Sequence, residues 1–212
     1  MKIGILFDLD GTLLDTLEDL KDAVNYTLAH FGCPQRSLEE VRTFVGTGAA
    51  NLIRKALPGR ESDPPLEQVL AVYQAYYAAH SRDKTGPYPG ILQALAQISA
   101  RYPMAIVSNK PDTATKDLCA IYFPGIFARG EAADCPRKPA PDMLIKAMDQ
   151  IGVDTCIYVG DSEVDIQTAR NTGVKCLSVL WGFRDKDCLT SSGGTHFCEK
   201  PADLLQKLEE MM

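Results

Sequence analysis

The sequence predicts an α/β protein whose parallel-sheet core is interrupted, after its first strand, by an all-helical insertion. Three observations carry this. The run Ile3, Ile5, Leu6 and Phe7 has the length and composition of a strand buried on both faces. Residues 15–83 hold four helix-like segments and no convincing strand. From residue 84 onward, apolar runs of strand length alternate with segments of helical period, which implies right-handed crossovers and a parallel sheet covered on both sides. The expected division is a core domain of residues 1–14 and 84–212, and a helical domain of residues 15–83.

The first strand turns polar at Asp8 and Asp10, and Gly11 breaks it. In the helical block, Leu17, Leu20, Val24, Leu28 and Phe31 recur every three or four residues from a start near Thr16. They leave Glu18, Asp19, Lys21 and Asp22 outward, and Gly32 ends the run. Ser37 followed by Glu40 has the form of a capping box ahead of Val41, Phe44 and Val45. Gly46-Thr47-Gly48 interrupts that helix. A third segment over 49–57 halts at Pro58-Gly59, and a fourth over about 65–80 carries Leu66, Val69, Leu70, Tyr73, Tyr76 and Tyr77. The turn-rich Gly86-Pro87-Tyr88-Pro89-Gly90 marks the return to the core. There the spacing predicts helices over 91–100, 113–121, 141–151 and 164–171, and strands over 104–107, 126–128, 156–159 and 175–179. A final helix over 201–212 turns Leu204, Leu205 and Leu208 inward, and Ser191-Ser192-Gly193-Gly194 reads as a loop.

Composition narrows the class. A chain of 212 residues with 45% hydrophobic and 24% charged side chains is ordinary for a folded globular protein. A net charge of −6, from 28 acidic and 22 basic side chains, argues against an electrostatic nucleic-acid binder. The seven cysteines form no CxxC pair and are odd in number, which fits reduced thiols in a cytosol. Cys156 and Cys176 fall in strand-like runs and read as packing residues. No charged N-terminal region precedes a long apolar run, and no stretch approaches about 18 uninterrupted apolar residues, so a cytoplasmic location without a membrane is expected. His30, His80 and His196 have no mutual spacing that suggests a metal site or a triad.

In an open parallel sheet, ligands sit outside the carboxyl ends of the strands, so the polar residues there are the candidates. Asp8 and Asp10 are two apart, and persisting strand geometry aims both carboxylates at one volume. Alone, such a pair is either a solvated turn or a site where a cation or a proton relieves the repulsion, and a hard ion such as Mg2+ suits carboxylate oxygens. The second strand delivers Ser108 and Asn109, and the loop 137–141 brings Lys138. The strand ending at Val159 delivers Gly160-Asp161-Ser162, with Asp165 a turn later. Alone, Lys138 is a surface lysine and Ser108 or Asn109 a helix cap. Together, carboxylates, a hydroxyl and an ammonium on one edge suit phosphoryl transfer through a covalent aspartyl phosphate. Lys110 and Asp165 stay open between such a role and ordinary surface charge.

The four stretches DLDGT, the strand end Ser108-Asn109, Lys138 before Pro139, and GDSEVD at 160–165 stand in the order of the motifs of the haloacid dehalogenase-like superfamily of aspartate-nucleophile phosphohydrolases. The resemblance covers nearly the whole chain. It implies a Rossmann-like core with a helical cap, Mg2+ as cofactor, Asp8 as nucleophile and metal ligand, and Asp10 as general acid/base that lends its backbone carbonyl to the metal. It further implies Asp161 as the third protein ligand, Asp165 as an outer or water-mediated one, and Thr12, Ser108, Asn109 and Lys138 as phosphate-binding, with Thr12 also bracing the Asp10 loop. At an unperturbed pKa of about 3.9 only roughly one Asp10 in a thousand is protonated at pH 7. Exclusion of water by the helical block is the expected source of a larger fraction, against the opposite pull of a nearby cation.

The insertion resembles the helical cap of phosphoglycolate phosphatase-like members, and VRTFVGTGAANLIRKAL at 41–57 is similar to their cap segment. Gly46 and Gly48 would open a helix N-terminus suited to an anion, with Arg42, Thr47 and Arg54 as candidate specificity residues. Solvated helix charge is the competing reading of both arginines. The activity implied is hydrolysis of a small phosphorylated metabolite, most simply 2-phosphoglycolate, by a monomer or homodimer. Asp10 argues against a dehalogenase, Leu20 against a sugar-phosphate mutase, and the polar settings of Lys21 and Lys55 against a Schiff-base lysine. Pyrophosphate, nucleotides and sugar phosphates are alternative substrates, and a non-enzymatic regulator that binds phosphorylated ligands is the alternative class.

Overall fold

In the computed structural model, which describes residues 1–59 and 64–212, β1 (Ile3–Phe7) runs along the middle of a six-stranded sheet. Two-residue strands β2 (Leu14–Asp15) and β3 (Gly86–Pro87) lie outside it. The remaining members are β4 (Met104–Pro111), β5 (Phe127–Glu131), β6 (Thr155–Gly160), β7 (Lys175–Val179) and β8 (Phe197–Cys198). Their order is β5-β4-β1-β6-β7-β8, with every neighbour parallel. In register, Phe7 of β1 pairs with Ile106 on one side and Val159 on the other. The chain forms two compact units, residues 1–15 with 87–212, and residues 16–86.

The described residues of the unit 16–86 form four helices, α1 (Leu17–His30), α2 (Leu38–Phe44), α3 (Ala49–Ala56) and α4 (Leu66–His80). Its interior takes Leu20, Val24 and Leu28 from α1, Leu52 and Ile53 from α3, and Val69, Tyr73 and Tyr77 from α4. The capping box forms: the Glu40 N–H donates to Ser37 Oγ at 3.2 Å, and the Ser37 N–H donates to Glu40 Oε2 at 2.8 Å. Asp19, expected on the outward face, is instead buried. Its carboxylate accepts the N–H groups of Lys84 at 3.0 Å and Thr85 at 2.9 Å, which satisfies donors that would otherwise be stranded at the end of the unit.

Helices cover both faces of the sheet. On one, Ile5, Phe7, Ile106, Ile157, Val159 and Leu177 meet α5 (Ile91–Ser99) and α6 (Asp112–Tyr122). On the other, Leu6, Ala105, Val107, Cys156 and Tyr158 meet α7 (Asp142–Ile151) and α8 (Glu163–Thr172). Each fully buried aliphatic or aromatic side chain in β1 contributes roughly 1.5–3 kcal/mol. Between β7 and the edge strand β8 the chain makes α9 (Lys186–Ser191), which the sequence pattern did not predict. The Gly193 and Gly194 N–H groups close its end on Thr190 and Leu189, so the expected loop is a helix terminus. The last helix begins as a 3-10 turn over Pro201–Asp203 and continues as α10 (Leu204–Glu210), with Leu204 and Leu208 buried. Among the described residues, no helix is long and apolar enough to cross a membrane.

Candidate active site

The carboxyl edge of the sheet gathers charge. The Asp8 N–H donates to the Val159 carbonyl at 2.8 Å and carries the β1–β6 ladder one residue past the strand. The chain then curls, with the Leu9 carbonyl accepting from the N–H groups of both Leu13 and Leu14 at 3.0 Å. Gly11 makes this curl at φ +83°, and a Cβ there would lie 2.3 Å from Asp161 Oδ2. Only glycine meets both demands.

Lys138 is the hub. Its Nζ lies 2.8 Å from Asp8 Oδ1, 2.8 Å from Asp165 Oδ1 and 2.8 Å from the Tyr158 hydroxyl, which matches the three protons of an ammonium. The Tyr158 hydroxyl in turn donates to Asp165 Oδ1 at 3.0 Å. The other Asp165 oxygen accepts from the Ser162 N–H at 3.1 Å and the Ser162 hydroxyl at 2.6 Å, in a capping box that opens α8. Burial opposes the Lys138 charge, but Asp165 and Asp8 outweigh it and hold the ammonium's pKa above the usual lysine range. Burial raises the Tyr158 pKa well above its ordinary value, with Asp165 and Asp8 adding to it, so the phenol stays a donor.

At the end of β4 the ladder with β5 breaks step: Val107 pairs with Arg129 and Pro111 with Glu131, leaving Ser108, Asn109 and Lys110 opposite Gly130. Such irregularities re-aim side chains. The Asn109 amide holds the Lys138 backbone at both ends, donating to its carbonyl at 3.0 Å and accepting its N–H at 2.8 Å. The Ser108 hydroxyl accepts the Lys110 N–H at 3.2 Å. Lys110 itself is buried, with Nζ 2.8 and 2.9 Å from the two Asp10 oxygens.

Asp8, Asp161 and Asp165 bring one carboxylate oxygen each within 4.8 Å of one another. Burial raises the Asp8 pKa from 3.8 to about 7, with the charges of Asp165 and Asp10 adding and Lys138 opposing. Asp161 is raised well above the carboxylate range by burial and by the charges of Asp165 and Asp8. Its oxygens accept from neutral donors, the Phe183 N–H at 2.7 Å and the Thr12 hydroxyl at 3.3 Å. The same burial and mutual repulsion that raise Asp8 and Asp161 would be relieved by a cation between them. A hard divalent cation fits that donor set.

The segment after β7 walls this pocket. The Trp181 indole N–H donates to the Thr12 carbonyl at 2.9 Å, and Arg184 forks onto Glu163 at 2.8 and 3.2 Å. Between them, a Cβ on Gly182 would lie 2.3 Å from Asp161 Cβ and 2.4 Å from the Gly11 carbonyl oxygen.

The structure thus brings together Asp8, Asp10, Ser108, Asn109, Lys138 and Asp161, and adds Lys110 and Asp165, which the sequence left open. Thr12 is wholly buried with its hydroxyl on Asp161, so its geometry is that of a brace and not of a group turned to a ligand. Arg42 and Thr47 lie in the helical unit, Arg42 within 3.7 Å of Glu39, while the Thr47 carbonyl accepts from Asn51 at 3.1 Å. Arg54 contacts Asn51. Tyr158 and the segment from Trp181 to Arg184 were missed. Tyr158 hides in an apolar strand, and only its phenol in an otherwise aliphatic run sets it apart.

The family described as haloacid dehalogenase-like hydrolase matches residues 5–179. A phosphoglycolate phosphatase of Pseudomonas putida is 36% identical over 190 residues, covering 84% of this chain and 70% of that protein. Phosphoglycolate phosphatase 1 of Pseudomonas aeruginosa is 33% identical over 212 residues, covering 95% of this chain and 78% of that one. A crystal structure of a candidate phosphoglycolate phosphatase from Lactobacillus delbrueckii subsp. bulgaricus superposes with a TM-score of 0.89 at 37% identity, over 97% of each chain. The chain belongs to the haloacid dehalogenase-like hydrolases.

Proposed function

We propose that the protein is a Mg2+-dependent phosphatase of small phosphomonoesters, most simply 2-phosphoglycolate, working through an aspartyl phosphate on Asp8. The buried Asp8–Lys138 contact at 2.8 Å, two residues before Asp10, carries this reading. Mere binding of a phosphate requires no carboxylate in that place; a nucleophile and an acid/base do.

Asp8 attacks phosphorus, the bond from phosphorus to the leaving oxygen breaks, and Asp10 gives that oxygen a proton. Water then attacks the aspartyl phosphate, Asp10 takes its proton, and Asp8 departs as a carboxylate. As Asp8 bonds to phosphorus, the Lys138 proton that pointed at it turns to a phosphoryl oxygen, joined by the Ser108 hydroxyl and by N–H groups after Asp8. Asp165 and Tyr158 hold the lysine meanwhile, and Asn109 holds its backbone. The Asp8 and Asp161 carboxylates and the Asp10 carbonyl would hold Mg2+, with Asp165 behind them. When bound, the ion offsets the repulsion between an anionic nucleophile and an anionic phosphate.

Arg42 and Thr47 are the proposed specificity residues, and the names of the Pseudomonas relatives support 2-phosphoglycolate. All seven cysteines are free thiols, which supports a reducing cytoplasm. Initial rates with Mg2+ across 2-phosphoglycolate, pyrophosphate, hexose phosphates and nucleoside monophosphates test the choice. A preference of about 100-fold for 2-phosphoglycolate, about 2.7 kcal/mol in transition-state binding, is expected. A flat profile would remove that substrate and leave the chemistry standing.

A further inference from the structure

We infer that Lys110 is a positioning residue for the second half of the reaction, holding Asp10 in the direction from which it takes the proton of the hydrolytic water. The inference rests on the phosphatase reading above. Two lysines divide the two aspartates: Lys138 lies on Asp8, and Lys110 reaches both oxygens of Asp10 at 2.8 and 2.9 Å. The Lys110 side chain is only 3% exposed and that of Asp10 14%, so solvent does little to loosen the pair. A lysine taken out of water this far is stabilised by a carboxylate it can reach.

The backbone keeps Lys110 there. The step in the β4–β5 ladder falls at residues 108–110, where the Lys110 side chain lies against Asp10. The Lys110 N–H is held by the Ser108 hydroxyl, and its carbonyl accepts the Thr115 hydroxyl at 3.2 Å. A charge-assisted contact to both oxygens fixes the plane of the Asp10 carboxylate as well as its place.

In hydrolysis of the aspartyl phosphate, the water oxygen bonds to phosphorus and its proton passes to an Asp10 oxygen. The bond from phosphorus to the Asp8 oxygen breaks, and its electron pair returns to Asp8. That step needs the Asp10 carboxylate aimed at the water. Phosphorylation of Asp8 by p-nitrophenyl phosphate needs no proton from Asp10, because p-nitrophenolate leaves as an anion. Lys110 therefore acts on one half of the cycle with this substrate.

Rapid-mixing kinetics with p-nitrophenyl phosphate and Mg2+ separate the halves. In Lys110→Met, a burst of p-nitrophenolate equal to the active sites is expected, with kcat lowered about tenfold or more and kcat/KM unchanged. Lys110→Arg, which can still reach both oxygens, should recover part of kcat. An unaltered kcat in Lys110→Met overturns the inference. So does loss of the burst together with kcat/KM in both variants, since Lys110 would then serve Asp8 or the fold. A wild-type protein that releases no p-nitrophenolate would instead defeat the phosphatase reading itself.

Discussion

Lys138 sits between two carboxylates at equal distance, and everything near it serves to keep it there. Asp165 spends both oxygens on Lys138, Tyr158 and Ser162, which makes it the anchor of the lysine. Asn109 fixes the same lysine from the backbone side, with its amide buried. Two internal hydrogen bonds of this kind are worth about 0.5–1.5 kcal/mol each. Asn109→Ala is therefore expected to lower stability by roughly 1–3 kcal/mol and kcat/KM by about tenfold or more, as Lys138 loses its fixed approach to Asp8. Denaturant melts and initial rates check this, and an unchanged kcat/KM would contradict it. Asp8 was legible in the sequence because it stands just past a strand end, and Lys138 because it stands before Pro139 in the expected order of motifs. The Lys110 contact was not, because it depends on which way a side chain turns once the β4–β5 ladder breaks step, and Tyr158 was not, because it stands inside a regular apolar strand.

At the scale of elements, the strand ends do the placing. β1 and β6 run in register up to Phe7 and Val159 and deliver Asp8 and Asp161 just beyond, and the break between β4 and β5 supplies Asn109 and Lys110. The segment following β7 closes over Asp161 so tightly that a Cβ on Gly182 would meet Asp161 at 2.3 Å. Gly182→Ala must move the carboxylate or the wall, and weaker Mg2+ binding by about tenfold or more in calorimetry, with the fold retained, is expected. An unchanged Mg2+ affinity would show that the wall yields without disturbing the ligand. Strongly periodic elements were legible, the Ser37 capping box among them, since its two hydrogen bonds are local. β8 was not, because two residues carry no alternation, and its partner is a strand almost twenty residues earlier. Asp19 was misplaced outward since its partners, the Lys84 and Thr85 N–H groups, are remote in sequence.

For the whole molecule, the net charge of −6 matters less than the carboxylate cluster around Asp8. Burial chiefly, with Asp165 and Asp10, raises the Asp8 pKa to about 7 in the folded chain, against 3.8 for the free group. Between those values the metal-free folded protein binds more protons than the unfolded chain. The associated stability is fully present below that window and is lost as pH rises through about 7. Mg2+ competes with those protons, and a ligand of the folded state alone stabilises by mass action. Thermal melts after chelation should therefore fall between about pH 5.5 and about pH 8, and added Mg2+ should raise Tm more at the higher pH. A Mg2+ shift equal at both would contradict the carboxylate cluster as its site.

The central claim is that phosphate passes through Asp8. Rapid acid quench during turnover, followed by mass measurement of the peptide containing Asp8, tests it directly. One phosphoryl group on that peptide in the wild type, with none in Asp8→Asn and no turnover by that variant, is the result the account predicts. Undiminished phosphate release by Asp8→Asn, with no phosphorylated peptide in either protein, would contradict it.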